Sequence, residues 1–268
     1  MITFIIPTIG KPGLQNAINS IQNQTNDNWK AIVIFDGIEP TISITDPKIT
    51  IMKIKKAGVG KNGAANVRNY GMKFVDTEWI GFLDDDDTIA PDYVETFNNE
   101  LIAYPFVDVI IFRMHRPNLE PVVLPELETD NFYSERVGIS FAFKKKIIDE
   151  GFLMKPSSIE DFEYLSTLRN NNYCIMISPY IKYFVNGNDE KNIVSQTGNR
   201  VIINNNNEKE GFEVQNKKMG FILPFIFLIF LMLGLFLFNK KTLYKHKYFF
   251  AGLLFIAIFY IFSVYFSI

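Results

Sequence analysis

An apolar run that ends in a block of acid constrains this chain more than any other stretch. Trp79-Ile80-Gly81-Phe82-Leu83 leads directly into Asp84-Asp85-Asp86-Asp87. The apolar residues read as a buried strand. Four adjacent carboxylates at its tip repel one another, which costs stability unless water or a cation relieves it. The strand therefore has to end where a sheet edge opens to solvent. In open α/β sheets ligands bind there, outside the carboxyl ends of the strands. In an extended segment Asp84 and Asp86 project to the same side, so both would face one ion or its waters. Hard oxygen ligands suit Mg²⁺ or Mn²⁺, metals that usually accompany a phosphate-bearing substrate. An isolated acidic run is more often a solvated turn. Here the strand ahead of it and the motifs around it favour a site.

Short apolar runs alternate with helical patterns through the first part of the chain. This predicts βα units and an α/β fold, a mostly parallel sheet flanked by helices. Strands are expected at residues 2–6, 31–35, 49–54, 79–83 and 107–112. A helix is expected over 12–22, with Pro12 at its start and Leu14, Ala17, Ile18 and Ile21 on one face. Pro91 opens another, with Val94, Phe97 and Leu101 together, and a third spans 63–75 after a turn bearing Gly58 and Gly60. Prolines and acids between Glu120 and Glu135 predict a loop or lid. A strand at 138–143 and helices at 144–150 and 159–169 then form a second unit.

From about Asn186 to Lys218 the chain turns polar and includes the run Asn204-Asn205-Asn206-Asn207, a composition that cannot bury a core and reads as a linker. Residues 221–238 and 248–268 carry no charge. Each is long enough to cross a ~30 Å hydrocarbon layer, and neither has a polar face. A basic loop with Lys240, Lys241, Lys245 and Lys247 separates them. The expectation is a catalytic domain over 1–187, a linker over 188–218 and a transmembrane hairpin over 219–268, with the lipid bilayer as a partner. The first residues, Met1-Ile2-Thr3-Phe4-Ile5-Ile6-Pro7, lack the basic and long apolar regions of a secretory signal, which favours a cytosolic catalytic domain.

A net charge of -2 argues against nucleic acid as a partner. The one cysteine, Cys174, lies in an apolar run and reads as a buried structural thiol. His115 and His246 are far apart in sequence, which disfavours a histidine-based metal site or a Ser/His/Asp triad.

Four stretches together resemble the inverting, GT-A-fold (nucleotide-diphospho-sugar transferase, Rossmann-like) glycosyltransferases of family 2, over about residues 1–185. They are Phe4-Ile5-Ile6-Pro7-Thr8, followed by Ile32-Val33-Ile34-Phe35-Asp36-Gly37; Gly63-Ala64-Ala65-Asn66-Val67-Arg68-Asn69; the acidic block; and Ser158-Ile159-Glu160-Asp161. The resemblance implies that Pro7 and Thr8 touch the nucleotide and that Asp36 contacts a uracil ring. It implies Arg68 either against the diphosphate or as a brace of the acidic loop. Asp84 and Asp86 match an Asp-x-Asp motif, with Asp86 the direct ligand of Mn²⁺ or Mg²⁺ and Asp85 against the ribose or the metal's water shell. Asp161, beside Glu160, stands in the place of the catalytic base. Two departures are visible: Phe35 stands where the family usually has a further acid, and the late histidine of many relatives is missing, leaving Asn186 or Asp189 to substitute.

The activity so implied is metal-dependent transfer of a sugar from a nucleotide-diphosphate donor, a UDP-sugar above all, to a hydroxyl of a glycan, protein or lipid with inversion. Two other readings stand beside it. One is a polyprenyl-phosphate glycosyltransferase, whose phosphate acceptor needs no base. The other is a non-catalytic nucleotide-sugar-binding membrane protein.

Overall fold

The computed structural model describes residues 1–57, 63–117, 119–127, 132–187 and 199–203. The turn with Gly58 and Gly60, Asp189 and both C-terminal apolar runs lie outside the described residues. Among those described, no helix is long and apolar enough to cross a membrane. The compact unit containing the sheet runs Met1–Asn207.

In chain order the elements are β1 (Ile2–Thr8), α1 (Leu14–Gln22), β2 (Trp29–Asp36), β3 (Ile49–Ile54), α2 (Ala64–Met72) and β4 (Trp79–Phe82). There follow β5 (Thr88–Ile89), α3 (Tyr93–Ala103), β6 (Val109–His115), β7 (Val123–Leu124), β8 (Phe141–Lys144), α4 (Lys146–Asp149), α5 (Glu160–Asn170), β9 (Ile175–Phe184) and β10 (Val201–Ile203). The sheet order is β10-β9-β6-β8-β4-β1-β2-β3. Strands β3, β2, β1 and β4 are parallel, and β8 joins β4 antiparallel. Because β1 has β2 on one side and β4 on the other, the order of connection reverses there, and a crevice opens beyond the strand ends.

The expected helix and strand faces are largely present. Leu14, Ala17, Ile18 and Ile21 are the buried residues of α1. Trp79 packs edge-on to Phe97 of α3, and Phe82 contacts Phe141 and Phe143 of β8. On α3 the fourth buried residue is Glu100, while Leu101 is only partly buried. The carboxylate is tolerated because Arg200, just before β10, donates to it from Nε at 2.8 Å and Nη2 at 3.0 Å.

Two expectations are corrected, and one strand lies where the sequence reading named no element. The stretch from 175 was not expected to be a strand, yet β9 runs ten residues and pairs with β6, β5 and β10. Ser178, Pro179 and Lys182 break its alternation in sequence, but the structure buries Ser178 and pairs Lys182 with Asp92 at 2.7 Å. The span read as linker contains β10, held antiparallel to Ile175–Ile177. Within the expected loop between Glu120 and Glu135, Val123–Leu124 pairs with the end of β6.

Candidate active site

Sheet register assembles the first wall of the crevice. Ile5 of β1 lies opposite Phe82 of β4, so three residues further on Thr8 meets Asp85. Its hydroxyl donates to Asp85 Oδ2 at 2.6 Å and accepts from Gly10 N–H at 2.9 Å. Asp36 ends the neighbouring β2, is 5% exposed, and accepts from Ala57 N–H at 2.6 Å. Pro7, Thr8, Asp36 and the acidic block thus share one edge of the sheet. Phe35 is fully buried, so the position of the absent acid belongs to the core.

The acidic block is not extended. Asp87 N–H bonds back to Asp84 C=O at 3.1 Å, and this turn sends the four carboxylates in different directions. Asp84 goes to Arg68 (2.5 Å), Asp86 to Lys11 (2.8 Å), Asp85 to Thr8 and Asp87 to Tyr183. The expectation that Asp84 and Asp86 alternate onto one side of a strand is therefore replaced by a turn with two outward acids, each facing a cation. Close approach makes this possible. A side chain at Gly13, which precedes α1, would meet Asp86 Cα and Asp85 C=O within 3 Å.

Asp87 is buried. Its carboxylate accepts from Tyr183 Oη at 2.7 Å and Asn186 N–H at 2.8 Å, while Tyr183 Oη also accepts from Asp84 N–H at 3.1 Å. Burial, with Asp84 nearby, pushes the Asp87 pKa up to about 7 despite those bonds. Asn186 meets the acidic block through its backbone here.

Arg68 links this turn to α5. It is 4% exposed, and its guanidinium bonds Asp84 on one side and Glu160 on the other. Burial opposes its charge, but Asp84 and Glu160 outweigh that and raise its pKa. The contacts of Arg68 with Asp84 and Glu160 are those a brace of the acidic loop would make. Glu160 also accepts from Ala65 N–H at 3.2 Å, at the start of α2. Its oxygens are committed to holding elements together.

Asp161 differs. Oδ1 accepts from its neighbour Phe162 N–H at 2.8 Å, and no hydrogen bond reaches Oδ2 among the described residues. Burial raises its pKa above the ordinary carboxylate range, against hydrogen bonding from Phe162. A Cβ on Gly138 would collide with Met114 and come within 3.6 Å of Asp161 Oδ2, so the glycine leaves room beside that oxygen. The first turn of α5 also gathers Glu160, Asp161 and Glu163, which suits the helix dipole. The two roles are compatible.

Lys11 and Tyr183 were missed in the sequence. Lys11 lies in the loop read only as a helix start, though a lysine just after the first strand already offered a counter-charge to strand-end acids. Tyr183 carried no signal without β9. Cys174 is half-buried and its pKa is pushed up to about 11 by burial, which keeps the thiol protonated. His115 ends β6 beside Phe184, with its Nδ1 buried and unpartnered among the described residues.

Residues that could hold a divalent cation are Asp84 and Asp86, with side chains 35% and 39% exposed. Among the described residues, no three of His, Cys, Asp and Glu gather as a metal site. Such a donor set fits a hard ion that keeps several waters and shares its shell with substrate phosphates.

The glycosyl transferase family 2 model matches residues 3–154, more than half of the chain. This chain belongs to glycosyl transferase family 2. It is 30% identical over 111 residues to the glycosyltransferase GlyA of Streptococcus pneumoniae, covering 38% of this chain and 15% of that protein. It is 23% identical over 188 residues to an uncharacterized glycosyltransferase of Haemophilus influenzae, covering 63% and 62%. The chain thus spans less than two thirds of these relatives. Among solved structures it resembles S. aureus TarS 1–349 in complex with UDP (TM-score 0.54, 15% identity, 69% of this chain and 60% of that one). It also resembles the mannosyltransferase PcManGT of Pyrobaculum calidifontis in complex with GDP-Man and Mn²⁺ (TM-score 0.54, 14% identity, 71% and 58%). At these identities the likeness is one of fold, and that fold is the α/β GT-A type.

Proposed function

We propose that this family 2 member is a membrane-anchored glycosyltransferase that moves a sugar from a nucleotide-diphosphate donor to an acceptor hydroxyl with inversion. The observation that carries the reading is the Asp84–Arg68–Glu160 brace, which holds the acidic turn and the start of α5 as one piece, beside an Asp161 whose Oδ2 accepts no hydrogen bond from another of the described residues. Pro7, Thr8 and Asp36 line the nucleoside end, and Asp85, held by Thr8, would lie against the ribose or the metal's water shell. The UDP complex of the TarS neighbour supports a uridine donor, and the Mn²⁺ of the mannosyltransferase supports a divalent cation. Such an ion at Asp86 and Asp84 would offset the diphosphate charge and make it a better leaving group.

Asp161 accepts the proton of the acceptor hydroxyl as that oxygen attacks the anomeric carbon. The bond from that carbon to the diphosphate oxygen breaks on the opposite face, and its electron pair leaves with the diphosphate. A raised pKa makes Asp161 a stronger base than an ordinary carboxylate. A phosphate acceptor would need no such group, so Asp161 favours the hydroxyl over a polyprenyl phosphate.

Residues 221–238 and 248–268 serve in this reading as a membrane hairpin, tethered by the polar stretch before residue 218. The catalytic domain lies in the cytosol, where nucleotide sugars are met directly.

The deciding experiment is Asp86→Ala. Transfer should be abolished, and Mn²⁺ titrated with UDP present should bind far more weakly. Unchanged metal affinity would sink the assignment.

A further inference from the structure

Among the described residues two cations meet the acidic turn, Arg68 and Lys11, and they differ in freedom. Arg68 is 4% exposed and locked between Asp84 and Glu160. Lys11 approaches from outside, on the loop between β1 and α1. Its Nζ lies 2.8 Å from Asp86 Oδ2 and 3.4 Å from Asp85 Oδ1, and its side chain is 44% exposed. A lysine ammonium is a compact charge on a flexible stem, so this pair can open without disturbing the fold. Asp85 would stay in place, because Thr8 still holds it.

The competition follows from charge. A divalent ion approaching Asp86 alone must break the Lys11 pair and push the ammonium into water beside a second positive charge. An ion arriving with a nucleoside diphosphate brings anionic oxygens with which the displaced ammonium can pair. We propose that Lys11 is a resident counter-cation of Asp86 that makes metal and nucleotide binding depend on each other. The inference rests on the reading of Asp86 as the metal's carboxylate. In its consequence, the nucleotide-free protein resists metal and the donor admits it. Because coupling between two ligands is reciprocal, metal must raise nucleotide affinity by the same factor.

The test uses the full-length chain and needs no turnover. Mn²⁺ affinity is measured by titration calorimetry, without nucleotide and with saturating UDP, for wild type, Lys11→Met, Lys11→Arg and Asp86→Ala. Lys11→Met removes the charge and keeps an unbranched stem. It should bind Mn²⁺ alone roughly five- to tenfold more tightly than wild type, the scale of one close, partly exposed charge. The factor by which UDP tightens Mn²⁺ should shrink at least as much, and Lys11→Arg should restore it. Unchanged or weaker binding of Mn²⁺ alone by Lys11→Met overturns the proposal. If Asp86→Ala abolishes Mn²⁺ binding while Lys11→Met matches wild type, only the role of Lys11 fails. If Asp86→Ala binds Mn²⁺ like wild type, the metal reading fails and takes this proposal with it.

Discussion

Asp161 and Glu160 are neighbours in sequence with opposite assignments. Glu160 is occupied by Arg68 and Ala65 N–H, whereas Asp161 keeps an oxygen without a partner among the described residues. Asp161→Asn should therefore leave donor affinity nearly intact and lower turnover at least ~10²-fold, the loss expected of a missing general base. Turnover near the wild-type level would reduce Asp161 to a helix-start acid. Since Asp161 acts deprotonated and burial raises its pKa, the acid limb of kcat/KM should lie at higher pH than for an exposed carboxylate. Asp87 allows a stability test. Its pKa is raised from 3.8 to about 7 in the folded protein, so the folded state binds the proton more tightly. Its contribution is then full below pH ~4 and is lost as pH rises toward ~7. Thermal unfolding in chelator-containing buffer should show this decline, and Asp87→Asn should flatten it.

Elements distant in sequence are joined here by single polar side chains. Arg68 ties α2 to the acidic turn and to α5, and Tyr183 ties the end of β9 to both ends of that turn. The same device fixes β10. Glu100 on α3 is about 1% exposed, and Arg200 supplies its charge partner while stacking near Tyr104 and Tyr180. Removing one member of a buried pair leaves an uncompensated charge, at a cost of ~3–5 kcal/mol. Arg200→Ala should destabilise a fragment ending at Asn207 by about that much in urea unfolding, and adding Glu100→Gln should recover part of the loss. If Arg200→Ala is neutral, β10 is a loosely attached edge.

At the scale of the whole molecule, the proposed membrane hairpin carries a prediction about the side of the bilayer on which the sheet would lie. A hairpin over 221–238 and 248–268 returns the chain to its starting side, so the catalytic domain and Ile268 would share a compartment opposite Lys240 and Lys247. Lysines and arginines before the first span compete with those in the loop, so charge bias alone does not orient it. Protease added to the cytosolic face of sealed vesicles should remove an N-terminal epitope. Survival of the epitope until detergent is added would place the domain on the other side.

The α/β class, the first four strands and the inward face of α1 were legible because burial writes a local period into the chain, as in Leu14, Ala17, Ile18 and Ile21. The acidic block was legible because charge at the end of an apolar run is conspicuous, and Glu160-Asp161 stood out only through the family resemblance. What stayed hidden depends on partners far away in sequence. β9 reads as broken until Lys182 meets Asp92, Glu100 reads as exposed until Arg200 arrives, and Lys11 reads as loop until the register of β1 against β4 brings it to Asp86. A local pattern records whether a side chain is apolar. The environment that makes a charge tolerable in the core, or a carboxylate basic, is assembled by chain segments up to a hundred residues apart, and it exists only once they have packed together.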